Sequence, residues 1–169
     1  MYSINQEINN LVISKLKDKF GDSIIGDELL ADMLCIEVDK ESIQNVMLFL
    51  HNDHELQYNF LTTLCGMHYP ETNQLGVVYH LHSFSHNHRI RIKTSTEIEK
   101  PYISSITSIW PAANWQERET YDFFGIIFDG HPNLKRILNV DDMTAFPLRK
   151  DFPLEDQTRE DKDDSMFGR

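Results

Sequence analysis

Residues 77–94 alternate twice, and this limits what the chain can become. Val77, Tyr79 and Leu81 interleave with Val78, His80 and His82, and Arg89-Ile90-Arg91-Ile92-Lys93-Thr94 repeats the pattern more cleanly. A period of two sends neighbouring side chains to opposite faces of a sheet. Ser85-His86-Asn87-His88 supplies the reversal between the two runs. A hairpin with one apolar and one wet face must bury the apolar one, so helices are expected on that side.

The upstream chain supplies them. Ile4, Ile8, Leu11, Val12 and Leu16 recur at helical spacing, predicting a helix over 3–19 that stops near Gly21. Ile43, Val46, Met47 and Leu50 predict a second, with Asp39 or Ser42 as its cap. Residues 33–38 and 62–69 read as strands, 23–30 as a strand or irregular connector, and 58–61 as a short turn. The fold expected is α+β: a two-layer domain over 1–125, with a small mixed or antiparallel sheet covered by helices. An extended partner-binding arm over 126–153 and an acidic tail over 154–169 follow. The tail carries six acidic and two basic residues between Glu155 and Asp164, too polar to fold alone.

Composition removes several classes of function. A formal net charge of −11 opposes binding to nucleic acid or to anionic lipid, both of which require a basic face. Two cysteines, Cys35 and Cys65, are too few for a disulfide framework or a cysteine-ligated cluster, and their apolar neighbours suggest reduced core thiols. The longest apolar run, Val46–Leu50, is far short of a membrane span. Residues 1–10 have neither a basic start nor an apolar core, so no secretory leader is expected.

Local chemistry is densest from Trp115 to Pro153. Asn114 and Glu117 have capping-box spacing, and Gly125 suits a helix end, predicting a helix over 115–124. On that helix Trp115, Arg118, Glu119 and Asp122 share a row. Arg118 is then expected to pair with Asp122, and Glu117 to reach Tyr121. Aromatics set among Arg and carboxylates have the composition of an interface hot spot. Asn133 is expected to cap a short helix over 134–138. Pro147-Leu-Arg-Lys-Asp-Phe-Pro153, stiffened by a proline at each end, suits lying along another surface.

Trp115-Gln-Glu-Arg-Glu-Thr-Tyr-Asp-Phe-Phe-Gly-Ile126, Gly130-His-Pro-Asn-Leu-Lys-Arg-Ile-Leu138 and Pro147–Pro153 together resemble the C subunit of respiratory complex I, the proton-pumping NADH:quinone oxidoreductase. Weaker similarity runs upstream through Ser105–Asn114 and Tyr79–Ser83, covering residues 30–153. Two departures stand out: Ala145-Phe146 where the family has Gly-His, and His68 where Asp before Tyr is common. The resemblance implies an α+β domain in the hydrophilic arm. It would sit beside the large quinone-site subunit and near the subunit holding the terminal iron–sulfur cluster. It implies no cofactor in this chain, with NAD, FMN, iron–sulfur clusters and quinone on other subunits. The membrane would be met only through the complex, on the cytoplasmic side of a bacterial plasma membrane or in an organelle-encoded equivalent. Glu117, Arg118, Glu119 and Asp122 would be a contact cluster, and His131, Arg136, Arg149, Lys150 and Asp151 the arm's contacts. No residue is assigned to catalysis or metal binding.

Sister enzymes carry equivalent subunits: membrane-bound hydrogenases, formate hydrogenlyases and the photosynthetic complex-I-like enzyme. A third reading, a free-standing hydrolase with metal held by some of the eight histidines, has His80, His82, His86 and His88 as its best ligands. No paired-cysteine or HExxH spacing accompanies them, and no glycine-rich dinucleotide fingerprint is present.

Overall fold

The computed structural model describes residues 6–153. The acidic tail and residues 3–5 of the expected first helix, Ile4 among them, lie outside the described residues. In chain order the elements are α1 (Gln6–Phe20), β1 (Ile24–Leu30), β2 (Met33–Val38), α2 (Ile43–Asn52), β3 (Phe60–Tyr69), β4 (Gln74–Ser83), β5 (His88–Glu97), β6 (Tyr102–Ser104), α3 (Ala113–Phe124) and β7 (Ile127–Asp129).

Five strands form a mixed sheet in the order β1-β2-β5-β4-β3. The expected hairpin joins β4 to β5, with Val77 opposite Thr94, Tyr79 opposite Ile92 and Leu81 opposite Ile90. β3 adds antiparallel to β4, whereas β2 joins β5 in parallel after the crossover through α2. Val12 and Leu16 of α1 and Ile43, Val46, Met47 and Leu50 of α2 share one core with Ile36, Val77, Tyr79, Leu81, Ile90 and Ile92. This is the α+β architecture that the alternation requires.

The opposite face carries the polar half of each alternation. Cys35 sits there opposite Arg91, and Cys65 opposite Val78. Cys35 is buried as expected, but Cys65 is exposed, because register places it away from the helices. Ser42 precedes α2 without capping it; its hydroxyl bonds that of Ser23 at 2.9 Å.

α3 closes the far edge of the sheet. The Gln116 Oε1 accepts the Leu64 N–H of β3, and the Phe124 ring lies directly over Gly66. A Cβ on Gly66 would stand 2.5 Å from that ring, so only glycine allows this approach. β7 pairs in parallel with β6, and Ile126 and Phe128 enter the core. After β7 the described chain contains no further helix or strand.

Candidate interaction site on the third helix and the arm

The helix that carries the charged motif begins earlier than its capping signal predicts. Ala112 occupies the cap position with no side-chain bond, so Asn114 and Glu117 form no capping box. Gly125 does end the helix, at φ 76°, with its N–H donated to the Tyr121 carbonyl at 2.8 Å.

Glu117 is released from capping to do something else. It is fully buried and reaches across to residues 105–106, away from Tyr121. There it accepts the Ser105 hydroxyl at 2.7 Å and the Ile106 N–H at 2.8 Å. No cation among the described residues bonds it, and burial pushes its carboxyl up to about 7 against the opposing pull of those two hydrogen bonds.

Asp122 is buried as well, and its partner is Arg136, not Arg118. The Arg136 guanidinium donates to Oδ1 at 2.7 Å, joined there by the Asn139 side-chain amide at 3.0 Å. The other oxygen accepts the backbone N–H groups of Ile137, Leu138 and Asn139 at 2.8–3.0 Å. Burial alone would raise this carboxyl. The N–H groups of Asn139 and Leu138, the guanidinium and the Ile137 N–H overrule it and hold the group well below the usual carboxylate range. Residues 134–138 therefore form no helix, since a carboxylate within a single ring of donors fixes them in an irregular turn.

Arg118 serves the same loop from its other side. Its Nε donates to the Lys135 carbonyl and its Nη2 to the Arg136 carbonyl, both at 3.0 Å, while the guanidinium lies 5.1 Å from the exposed Trp115 ring. His131 accepts the Asn133 N–H on Nδ1 at 3.0 Å and contacts the Asn114 carbonyl through Nε2 at 3.1 Å, pinning the turn after β7. Glu119 is exposed.

The proline-bounded segment lies along this chain's own α3 and β3. Turns close from Phe146 to Arg149 and from Arg149 to Phe152. Arg149 donates from Nε to the Phe124 carbonyl at 2.7 Å and stacks 4.4 Å from the Phe146 ring. The Lys150 N–H donates to the buried His68 Nδ1 at 3.0 Å, with the Asp151 carboxylate 3.7 Å from the same nitrogen. Sequence reasoning gives no role to Gln116, His68, Ser105, Asn139 or Phe146. All but Phe146, which stacks on Arg149 three residues on, meet their partners across a long stretch of sequence, so spacing offers little signal; only the departures at His68 and Phe146 mark a position.

What remains outward mixes exposed charges, among them Glu119, Lys135, Asp141, Asp142, Lys150 and Asp151, with four large apolar side chains. Leu138 and Val140 are 68% and 66% exposed, and Trp115 and Leu148 are also open. The charged residues beneath hold backbone in place, leaving these side chains at the surface.

Against known families, the model of "Respiratory-chain NADH dehydrogenase, 30 Kd subunit" matches residues 36–158. The chain belongs to this family. The C subunit of NADH-quinone oxidoreductase from Roseiflexus castenholzii is 44% identical over 147 residues, covering 86% of this chain and 84% of the relative. Its counterpart from Citrifermentans bemidjiense is 41% identical over 153 residues, covering 90% and 94%. The solved trypsin-resistant fragment of Nqo5 superposes with a TM-score of 0.64 at 26% identity, over 74% of this chain and 98% of the fragment. A chain of the membrane-bound sulfane sulfur reductase, an archaeal respiratory membrane complex, gives a TM-score of 0.73 at 21% identity and shares the fold. That match covers 87% of this chain and 86% of the other.

In this 30 kDa-subunit fold two of the four candidate histidine ligands, His80 and His88, are committed to protein partners. His80 Nε2 accepts the Arg91 Nε–H at 2.8 Å, and burial together with Arg91 lowers its proton affinity. Both ring nitrogens of His88 are engaged, by Tyr58 at 2.7 Å and Asn9 at 2.8 Å. Among the described residues no three His, Cys, Asp or Glu side chains converge as metal ligands would, so the histidine–metal alternative gains no support. Nor is any described helix long and apolar enough to cross a membrane.

Proposed function

We infer that this chain is a non-catalytic structural subunit of NADH-quinone oxidoreductase. Its role is to hold the large quinone-site subunit and the terminal iron–sulfur subunit in register within the hydrophilic arm. Electrons would pass from NADH through FMN and iron–sulfur clusters to quinone on those other subunits, coupled to proton translocation. The chain would meet the membrane peripherally, on the cytoplasmic side in a bacterium.

The observation that carries the reading is the division of labour between α3 and the arm. Asp122, Arg136 and Arg149 are spent inside the chain on fixing backbone, while Trp115, Leu138, Val140 and Leu148 are presented outward on that fixed loop. Pre-organised apolar anchors lower the ordering cost of binding, which suits a permanent protein interface. Arg118, Glu119, His131, Lys150 and Asp151 form its polar rim, and Glu117 supports it from below. The relatives named as the C subunit of NADH-quinone oxidoreductase favour that enzyme over its hydrogenase and formate-linked sisters.

The test is to tag the chain in its own organism, purify it gently from solubilised membranes and assay NADH-dependent quinone reduction. Recovery in a large complex with that activity is expected. A complex driven by hydrogen, formate or ferredoxin would transfer the chain to a sister enzyme, and recovery as a free protein would overturn the structural role.

A further inference from the structure

The two edges of the five-stranded sheet are treated differently. β3 is sealed by its own chain: Gln116 takes the Leu64 N–H, and the arm is tied to His68. No described strand lies beyond β1 at the other edge. Sheet edges are ordinarily guarded by lysine, proline or a bulge in mid-strand. β1 reads Ile-Ile-Gly-Asp-Glu-Leu-Leu, and its bulge lies at the first residues, between Ile24 and Gly26. The later stretch, Asp27–Leu30, has no lysine, proline or bulge, and its charges, Asp27 and Glu28, are acidic.

Register shows which groups point outward. Ala31 and Asp32 form a two-residue reversal with φ 48° and 65°, the type I′ geometry that makes the flanking Leu30–Met33 pair hydrogen-bonded. Alternation along the ladder then makes Glu28–Cys35 and Gly26–Glu37 hydrogen-bonded pairs. Asp27 and Leu29 fall between them, with N–H and C=O directed away from β2. Beside these groups Ile25 and Leu29 are 60% and 49% exposed, although both are large and apolar. Asp22, Asp27, Glu28 and Asp32 crowd the same edge, offset by Lys17 on Asp27 at 2.5 Å and Lys93 on Glu28 at 3.4 Å.

We propose that the β1 edge is a second docking surface, which receives an extended strand from another protein of the assembly. That strand carries apolar residues against Ile25 and Leu29 and a lysine or arginine against Asp27 or Glu28. Outward N–H and C=O groups supply a ladder for strand addition, and alternate side chains set its specificity. The charge selects the occupant: a basic strand is attracted, whereas a second copy of this chain brings acidic residues against acidic residues. The proposal rests on the chain having partners in a complex, but uses a face separate from α3 and the arm.

The experiment compares hydrogen exchange at the Asp27 and Leu29 amides in the assembled complex and in the isolated full chain. Exchange about tenfold slower or more in the complex is expected, as for amides drawn into a stable ladder. Zero-length carboxylate–amine coupling should join Asp27 or Glu28 to a lysine of a different subunit. Leu29→Pro removes an outward N–H and the Leu29 side chain but no hydrogen bond of the β1–β2 ladder, and should lower recovery of the chain in the complex. Leu29→Lys, which leaves the backbone intact, should do the same. Equal exchange in both samples, with the chain present in the complex, would overturn the edge proposal alone. Slow exchange already in the isolated chain, with cross-links between copies, would overturn it in favour of self-pairing. Absence of the chain from any complex would overturn both readings.

Discussion

The Asp122 carboxylate lies 2.7 Å from the Arg136 guanidinium, and the two together organise the loop between them. Asp122 gathers the N–H groups of residues 137–139, while Arg136 spans the carbonyls of Asp122, Met143 and Ala145. A salt bridge expected within one helical row is instead the knot that ties helix to arm.

Asp122→Asn should cost about 3–5 kcal/mol, because it leaves a buried guanidinium without its counter-charge. The Asp122 carboxyl is held below its ordinary value of 3.8, so its stabilisation is complete above that pH and is lost as pH falls below it. Chemical denaturation across that range should show a shallower acid-side decline in the variant. An unchanged acid limb would remove Asp122 as its source.

Glu117 has the opposite sign. Its folded value of about 7 exceeds the ordinary 4.5, so the folded state holds the proton longer and stability falls as pH rises between those two values. At about 1.4 kcal/mol per pH unit, the loss is on the order of 3 kcal/mol. Glu117→Gln keeps an acceptor for Ile106 and a polar partner for Ser105. Its stability should be flatter than the parent's from about pH 5 to 7 in urea melts. Parallel curves would place the Glu117 carboxyl near its ordinary range.

Gly125→Ala should loosen the arm more than the sheet. A Cβ there would meet Phe146 at 2.6 Å and the Arg149 Nη2 at 2.7 Å, at a positive φ that favours glycine. Left-handed strain and overpacking together cost about 2–4 kcal/mol. Limited proteolysis should cut the variant between residues 136 and 150 at concentrations of protease that leave the parent intact.

Arg118→Ala removes two bonds to the loop carbonyls and should cost the isolated chain about 1–3 kcal/mol. Its larger effect is expected on assembly: complex recovered from membranes and quinone reductase activity should drop together. Leu138→Asp, whose side chain makes no demand on the fold, should lower recovery without shifting the melting of the free chain. Normal assembly and turnover in both variants would leave the α3–arm surface without a role in binding.

The hairpin of β4 and β5, the helical faces of α1 and α2 and the end of α3 at Gly125 were legible in the sequence. In each case the residues that decide the element lie within a few positions of one another. Period two, helical spacing and a left-handed glycine are properties of the local backbone. The long motif carried the family for a related reason: it is a nearly continuous string of residue types.

Where the charges of that motif go was not legible. Helical spacing placed Arg118 beside Asp122, but the folded loop offered Asp122 a guanidinium, three backbone N–H groups and an amide at once, a stronger set than one exposed pair. The parallel β2–β5 pairing, the burial of Glu117 against Ser105, and the exposed Cys65 are likewise products of tertiary structure. The sequence by itself determined which elements form and to which family they belong, because those follow from local backbone preference and residue order. Only the tertiary structure decided which polar groups are buried and with whom, because that choice depends on desolvation and on donors brought from distant parts of the chain.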